Sequence, residues 1–464
     1  MISPARKIAY QILLRVEAGR GFAVDLLQSP EVSALKYVDR RLAMEIVMGV
    51  LRWRGYLDFR IERLSGKKLK ILDAEVLTIL RMGIYQIRFL ERVPKRAVVD
   101  DAVELTKAAR KRSAAGFVNA VLRKCDAPGD SLLGRDFEDL SPDQRESVRR
   151  AFPEWLLKRW ENSNAYTCEP DEIAALRLAF ASLLAPRTTL RVVDIGVDLE
   201  VVRRELAAEG VATLYCEFAE QGLEVESGLV QNTRAYREGR VVIQDEASQL
   251  VAELVAPKPG ERVLDVCAAP GMKAGQLAQA LGSGTLIACD HSRARLRTMA
   301  ALLPKWIPPQ VHFSLVRLDA SSELPFAAKF DRILVDAPCS GTGTLARNPE
   351  IKWRLHPEDI TRLAELQAKI LRNALQVLAS GGRLVYATCS IEMDENERVV
   401  ERVLREEPGF RTLSSAEIHS TCPRLSPVFI SSAGELGQFR TRPHQHSMDG
   451  FNAAVIVRKG NLSQ

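Results

Sequence analysis

From about residue 246 onward the chain alternates short apolar runs with amphipathic stretches of helical period, and few folds accept that order. Strand candidates lie at 262–266, 285–289, 311–315, 332–335 and 383–387, with helices such as 273–281 and 293–303 between them. Strands joined by crossover helices predict a doubly wound, largely parallel sheet whose ligands bind outside the carboxyl ends of the strands. The tail over 439–459 reads as strand, turn at Asp449-Gly450 and strand, which predicts an antiparallel edge.

The preceding residues follow other rules. Ile8, Ile12, Leu13 and Val16 have helical spacing, as do Leu42, Ile46, Val47, Val50 and Leu51, so 1–130 predicts an all-α bundle. Residues 130–150 are polar, with Gly129, Gly134 and Pro142 in or beside them, and read as a linker. Two helices near 153–160 and 173–184, a strand at 188–193, a helix at 199–209 and further short strands predict a small α+β unit. The expected fold is therefore multidomain: a bundle over 1–135, an α+β unit over 150–245 and an α/β domain over 246–460. A length of 464 residues suits such a division at about 150 residues per domain.

Charge is unevenly spread. Residues 1–125 hold 25 Lys and Arg against 13 Asp and Glu, while the remainder holds 40 against 46. A basic block on an acidic body reads either as an arm for a polyanion or as solvated helix faces. The apolar content of 46% excludes a wholly disordered chain, and no apolar run approaches the ~18 residues of a membrane helix. The first residues lack the apolar core of a signal peptide, so a cytoplasmic protein is expected, with a monomer as the default. Eight cysteines form no CxxC pair, and His444 and His446 have no carboxylate-rich partner motif, so no metal site is expected. Most of the cysteines are expected to be reduced, buried and packed as small apolar residues.

The chemistry gathers at the predicted strand ends. VLDVCAAPGMKAGQLAQ, residues 263–279, is an apolar strand, a tight small-residue loop and an amphipathic helix. Small residues let backbone amides approach a ligand at a helix N-terminus. The loop is neither GxGxxG nor a Walker sequence, so a nucleotide-like ligand other than a triphosphate is expected. The next strand ends in Asp290, placed to accept ribose hydroxyls. Two more strands lead to Asp319 and Asp336. A helix cap explains one such aspartate but explains three poorly. DAPCSGTG, residues 336–343, and TCS, residues 388–390, deliver Cys339 and Cys389 to the same edge. A lone cysteine there would be read as core packing; two beside an acid point to chemistry.

Together CAAPGMK, DAPCSGTG, PEIKW and TCS resemble the RNA (cytosine-5) methyltransferases of the Fmu/Sun, or RsmB-like, group. VVIQDEASQLVAELVAPKPGERVLD resembles the start of that group's catalytic domain. DRRLAMEIVMGVLR, RMGIYQI and FVNAVLRK resemble its NusB-like N-terminal domain. The chain departs from the group's pattern at Met272, where a second glycine is usual, at Val193, where an asparagine is usual, and at Asn452, where an aromatic is common. None of these departures is expected to touch a cysteine motif.

The resemblance implies a Rossmann-like domain binding S-adenosyl-L-methionine, with Cys267, Ala268, Ala269, Pro270, Gly271, Met272 and Lys273 cradling its methionine portion. Asp290 would hold the ribose and Asp319 would lie near the adenine edge. Asp336 would hold the cytosine amide edge and contact the cofactor. Cys389 is implied as the nucleophile and Cys339 as the group assisting elimination; the residues' chemistry alone leaves that order open. A free thiol is only a few per cent ionised at neutral pH, so a cation such as Lys352 is expected nearby. The implied partner is small-subunit ribosomal RNA, with the middle unit resembling an RNA-recognition fold or, alternatively, serving as a scaffold packed against the sheet. Two other readings compete. A methyltransferase of exocyclic amines would need an NPPY-like motif, which is absent. A non-enzymatic RNA-binding factor with a silent domain would be expected to lack a catalytic cysteine, and both are present.

Overall fold

The computed structural model describes residues 2–125, 140–162, 172–193, 196–425, 429–431 and 437–459. Two compact units divide the chain: Met1–Ala185 with Leu345–Arg354, and Pro186–Thr344 with Leu355–Gln464.

In the first unit the apolar stripes become helices α1 (Pro4–Glu17), α2 (Tyr37–Ser65), α3 (Ala74–Phe89), α4 (Lys95–Ala108) and α5 (Ala115–Cys125). Ile12, Val16, Ile46, Leu57, Ile79, Ile84, Val118 and Leu122 fill their common core. Gly49 of α2 admits the Tyr85 ring, which a Cβ there would meet at 1.9 Å. Gly66 ends α2 at φ 66°, the left-handed conformation that glycine adopts without penalty. Helices α6 (Pro142–Arg149), α7 (Glu154–Glu161) and α8 (Glu172–Ala181) also belong to this unit. The stretch expected as a linker thus contains a helix, because Ser141 and Gln144 form a reciprocal capping box with Pro142 in the first turn. The helices expected in the middle unit lie here instead, and flanking Ala151 and Leu183 share the bundle's core.

The second unit opens with a small sheet: β1 (Thr188–Val192), α9 (Leu199–Ala208), β2 (Ala212–Tyr215), β3 (Gly222–Ser227) and β4 (Val241–Ile243). Its order β2-β3-β1-β4 is antiparallel throughout, the RNA-recognition-type topology expected. Leu190, Val192, Leu223 and Val241 pack beneath α9 through Val202 and Leu206. The opposite face of β1 is buried as well. Arg191, 1% exposed, donates to Gln244 at 2.8 Å, to Gln279 at 2.5 Å and to the Met272 carbonyl at 3.4 Å. Burial lowers its guanidinium to about 10. Val193 joins the core of the larger sheet. RNA-recognition folds stack bases on this sheet face; here Arg191 and Val193 use it for packing, so the two expected domains form one unit.

That larger sheet holds β5 (Arg262–Asp265), β6 (Gly284–Asp290), β7 (Val311–Arg317), β8 (Phe330–Asp336), β9 (Leu378–Thr388), β10 (Phe410–Thr412), β11 (Ile430–Ser431), β12 (Gln438–Arg440) and β13 (Asn452–Arg458). Strands β7-β6-β5-β8-β9 are parallel, and β13 adds antiparallel to β9, with β12 and β11 beyond it. Alternate residues face two cores. Val263, Leu334 and Val385 meet helices α10 (Glu246–Glu253), α11 (Met272–Leu281) and α12 (Arg293–Leu302). Leu264, Val335 and Tyr386 meet α13 (Pro357–Gln376) and α14 (Glu397–Glu406). Burial on both faces accounts for the near-continuous apolar strands. Among the described residues no helix is long and apolar enough to cross a membrane.

Candidate active site

Strands β5, β6, β8 and β9 end at one edge and deliver Asp265, Asp290, Asp336 and Cys389. After β5 the loop 266–271 turns into α11. Its Ala268 amide donates to the Cys289 carbonyl at 2.7 Å, and Gly271 caps α11 at φ 105°. No side chain caps this helix. Its first amides and dipole therefore favour an electron-rich group.

Asp265 is fully buried, and neither carboxylate oxygen meets a partner at full hydrogen-bond geometry among the described residues, although the Cys267 amide and the Lys273 charge lie close enough to favour its ionised form. Burial and the Asp336 charge push it up to about 8. Asp290 accepts from the Ser292 amide at 2.7 Å. Asp319 is exposed and is occupied by the Ser321 amide and hydroxyl, which hold it below the usual carboxylate range. It lies one strand further out, past β7. Burial drives the Cys289 thiol to about 12 and the Cys267 thiol well above the usual range, so both suit packing better than nucleophilic chemistry.

The two expected cysteines do meet. The Cys339 and Cys389 sulfurs are 3.3 Å apart, and both residues are half-buried. Lys273 Nζ donates to Asp336 at 2.8 Å and stands 4.9 Å from the centre of the Phe451 ring. Burial opposes its charge, but Asp336 and the Cys389 sulfur outweigh it and raise the ammonium above its ordinary value. Lys273 is thus the cation of this site. Lys352, expected in that role, belongs to the helical unit, where its ammonium donates to the Arg52 carbonyl at 3.0 Å. Burial and the Arg52 charge push it well below its usual value.

A hidden carboxylate fixes both cysteine loops. Glu395 is fully buried and accepts from the Ser340 amide at 2.8 Å, from the Ser340 hydroxyl, from Ser390 Oγ at 2.5 Å and from Gln367 at 2.9 Å. Gly343 donates to the Cys389 carbonyl at 2.9 Å, and a Cβ on it would lie 1.9 Å from the Gly450 oxygen. Asn452 Nδ2 donates to the Ser390 carbonyl at 2.8 Å, so this departure from the resembled pattern does touch a cysteine motif. Sequence reasoning missed Glu395, which stands among Asp394 and Glu397 like any solvated acidic turn. It also passed over Asp265, although an apolar strand ending in an acid was the signal used for its neighbours.

Residues 252–457 match the 16S rRNA methyltransferase RsmB/F model, and residues 3–127 match the NusB family. A probable ribosomal RNA small subunit methyltransferase B of Bacillus subtilis is 33% identical over 98% of this chain and 99% of its own length. The chain belongs to the RsmB/F family. A further relative, ribosomal RNA small subunit methyltransferase B of Pseudomonas putida, is 34% identical over 82% of this chain and 84% of its own. The crystal structure of PH0851 shares the fold, with TM-score 0.79, 23% identity and 99% of each chain covered. The methyl donor of this RsmB/F chain is S-adenosylmethionine. The residues present fit it: the loop 267–273 exposes backbone at an uncapped helix end, and the buried Asp265 carboxyl awaits a polar partner.

Proposed function

We propose that the chain methylates carbon 5 of a cytosine in small-subunit ribosomal RNA, with Cys389 as nucleophile. The observation that carries this is the pair of sulfurs 3.3 Å apart beside the Lys273–Asp336 ion pair. Loop 267–273 and Asp290 would hold the cofactor, with Asp319 further along the edge. Bound S-adenosylmethionine supplies an electrophilic methyl group. The chain's residues must then make a poor nucleophile, carbon 5, attack it.

The Cys389 thiolate adds to carbon 6, which moves electron density onto carbon 5. Covalent addition of this kind divides one difficult step into easier ones. Lys273 stays protonated and offsets the developing charge. Asp336, held by Lys273, faces the exocyclic amine. Contact with Cys389, burial and nearby acids push the Cys339 thiol well above its usual range. After methyl transfer the carbon 5 proton leaves to a water molecule at the site, with Cys339 beside the departing sulfur. The electron pair of that carbon–hydrogen bond restores the ring double bond, and the carbon 6–sulfur bond breaks with its electron pair to return the Cys389 thiolate. The target base must leave its stack to reach both groups, which favours a loop or a flipped nucleotide. Phosphate contacts fall to the basic residues of 1–125.

Cys389→Ala is expected to abolish methyl transfer and leave cofactor binding within a few-fold. Cys339→Ala is expected to accumulate an RNA adduct that survives denaturation; an adduct in Cys389→Ala instead would exchange the two roles. Bisulfite mapping of ribosomal RNA from cells with and without the gene reads the modified base directly. A map without a lost 5-methylcytosine would refute the substrate.

A further inference from the structure

Residues 291–318 hold five Lys and Arg, two His and no Asp or Glu, although 126–464 as a whole holds more acids than bases. They form α12, the turn after it and β7, the edge strand of the larger sheet. Arg293, Arg295 and Arg297 are exposed on α12, and Arg317 is exposed at the end of β7. Arg317 Nε donates to the His291 carbonyl at 3.1 Å, which sets its guanidinium beside the start of the helix. Arg293 and Arg297, four residues apart, share a helix face.

Nothing inside the fold neutralises these charges. Among the described residues none of the four arginines forms an ion pair. The acids that bracket the segment are turned to other donors: Asp290 to the Ser292 amide, Asp319 to the Ser321 amide and hydroxyl. The basic block of the helical unit behaves differently, since Arg6 pairs with Asp101, Arg81 with Asp58 and Lys111 with Asp73.

The arrangement also works against the helix that carries it. Arg293 and Arg295 stand in the first turn of α12, where no acid accompanies them and the helix dipole repels a cation. Arg293 and Arg297 repel each other as a like-charged pair at i, i+4. Local stability therefore does not account for the cluster, whereas an external anion does. A protein partner is disfavoured, because interface cores are apolar and rich in aromatic residues. None of the exposed large apolar side chains among the described residues lies in 291–318. Unpaired guanidinium forks suit phosphate oxygens.

We propose that Arg293, Arg297 and Arg317 bind the phosphate backbone of the substrate RNA, which rests on the RNA reading above and not on the cysteine roles. One compact unit then carries both these cations and the two sulfurs, so phosphate contacts extend beyond the basic residues of 1–125.

The test is the triple variant Arg293→Gln, Arg297→Gln and Arg317→Gln in the full chain, with filter binding of a 16S ribosomal RNA transcript over a range of salt. The slope of log affinity against log salt should shrink by about two to three, at ~0.7–0.9 per phosphate contact. Affinity at about 0.15 M salt should fall roughly tenfold to a hundredfold. S-adenosylhomocysteine affinity and the thermal midpoint should stay near wild type. A matched triple, Arg204→Gln, Arg234→Gln and Arg398→Gln, removes the same charge from arginines paired with Glu200, Glu238 and Asp394. It should leave the slope unchanged. An unchanged slope in the first triple would overturn the surface and give the face to an acidic protein or to solvent. Equal losses in both triples would overturn it too, as an effect of net charge. Binding is read without turnover, so Cys389→Ala should keep the wild-type slope. Methylation surviving in that variant refutes the nucleophile and leaves the slope comparison in force.

Discussion

At one sheet edge, the cysteine loops are saturated with internal hydrogen bonds, whereas the loop after β5 leaves a buried carboxyl with none. Glu395 alone binds Ser340, Ser390 and Gln367, and Gly343 joins Cys389 to Gly450. Asp265, two strands from β9 with β8 between them, meets no partner at full hydrogen-bond geometry among the described residues. Groups that must meet a base at a fixed distance are held by the protein itself, since small misplacements are expensive in rate. Groups that must meet a departing and returning cofactor are left unsatisfied, so that the ligand completes them. Buried polar atoms without partners cost about 1–3 kcal/mol each, and binding can recover that energy.

The largest expected effect breaks the saturated side. Gly343→Ala drives a Cβ into the Gly450 oxygen and to 2.8 Å from the Cys389 oxygen. Backbone must move, and no flexible side chain can absorb the clash. Turnover should fall by about a hundredfold or more, while S-adenosylhomocysteine binding stays within a few-fold. Calorimetry and single-turnover methylation read the two sides separately. Equal losses in both would mean that the loops are one structure and the contrast is false.

Asp265→Asn sharpens the unsaturated side. The folded carboxyl titrates at about 8, against about 3.9 in an unfolded chain. Between those values the native state holds the extra proton, so this group's stabilisation is present below about pH 4 and lost as pH rises towards 8. Asparagine cannot titrate. The variant should therefore gain on wild type between about pH 5 and pH 8, by about 3–4 kcal/mol, since a tenfold change in proton affinity is worth ~1.4 kcal/mol. Urea unfolding of the cofactor-free protein at both ends of that window measures it. A constant difference would remove the pH dependence from Asp265.

Legibility followed locality. Val263–Asp265, Leu286–Asp290 and Ile333–Asp336 were readable because an apolar run and its terminal acid are adjacent in sequence. Cys339 and Cys389 stand 50 residues apart, and their meeting followed from sheet order together with family motifs. Glu395 was unreadable, because an acid in the run Asp394–Glu397 reads as solvated and only tertiary structure buries it. Lys352 was misplaced for the same reason: its acceptor, Arg52, lies 300 residues earlier. The small sheet's topology was foreseeable, but its allegiance was decided by Arg191, a charged residue that no apolar pattern assigns to a core. Pro142 misled in the other direction. Proline beside glycines reads as a linker, yet after Ser141 it starts a helix.

Asn452→Ala gives the smallest effect and probes how redundant the saturated side is. Asn452 Nδ2 donates to the Ser390 carbonyl at 2.8 Å, but Asn396 Nδ2 donates to the same oxygen at 2.9 Å. Removing one donor leaves that acceptor satisfied, so the loss is that of an ordinary neutral hydrogen bond, about 0.5–1.5 kcal/mol. Turnover should fall by about twofold to fivefold, because Glu395 and Gly343 still hold the loop. Asn396→Ala, which also loses the bond from Thr388 at 2.6 Å, should cost more. The double variant should exceed the sum of the singles, since only then does the Ser390 carbonyl lose both amide donors. Strict additivity, measured by urea unfolding, would show that the two asparagines do not share that carbonyl in solution.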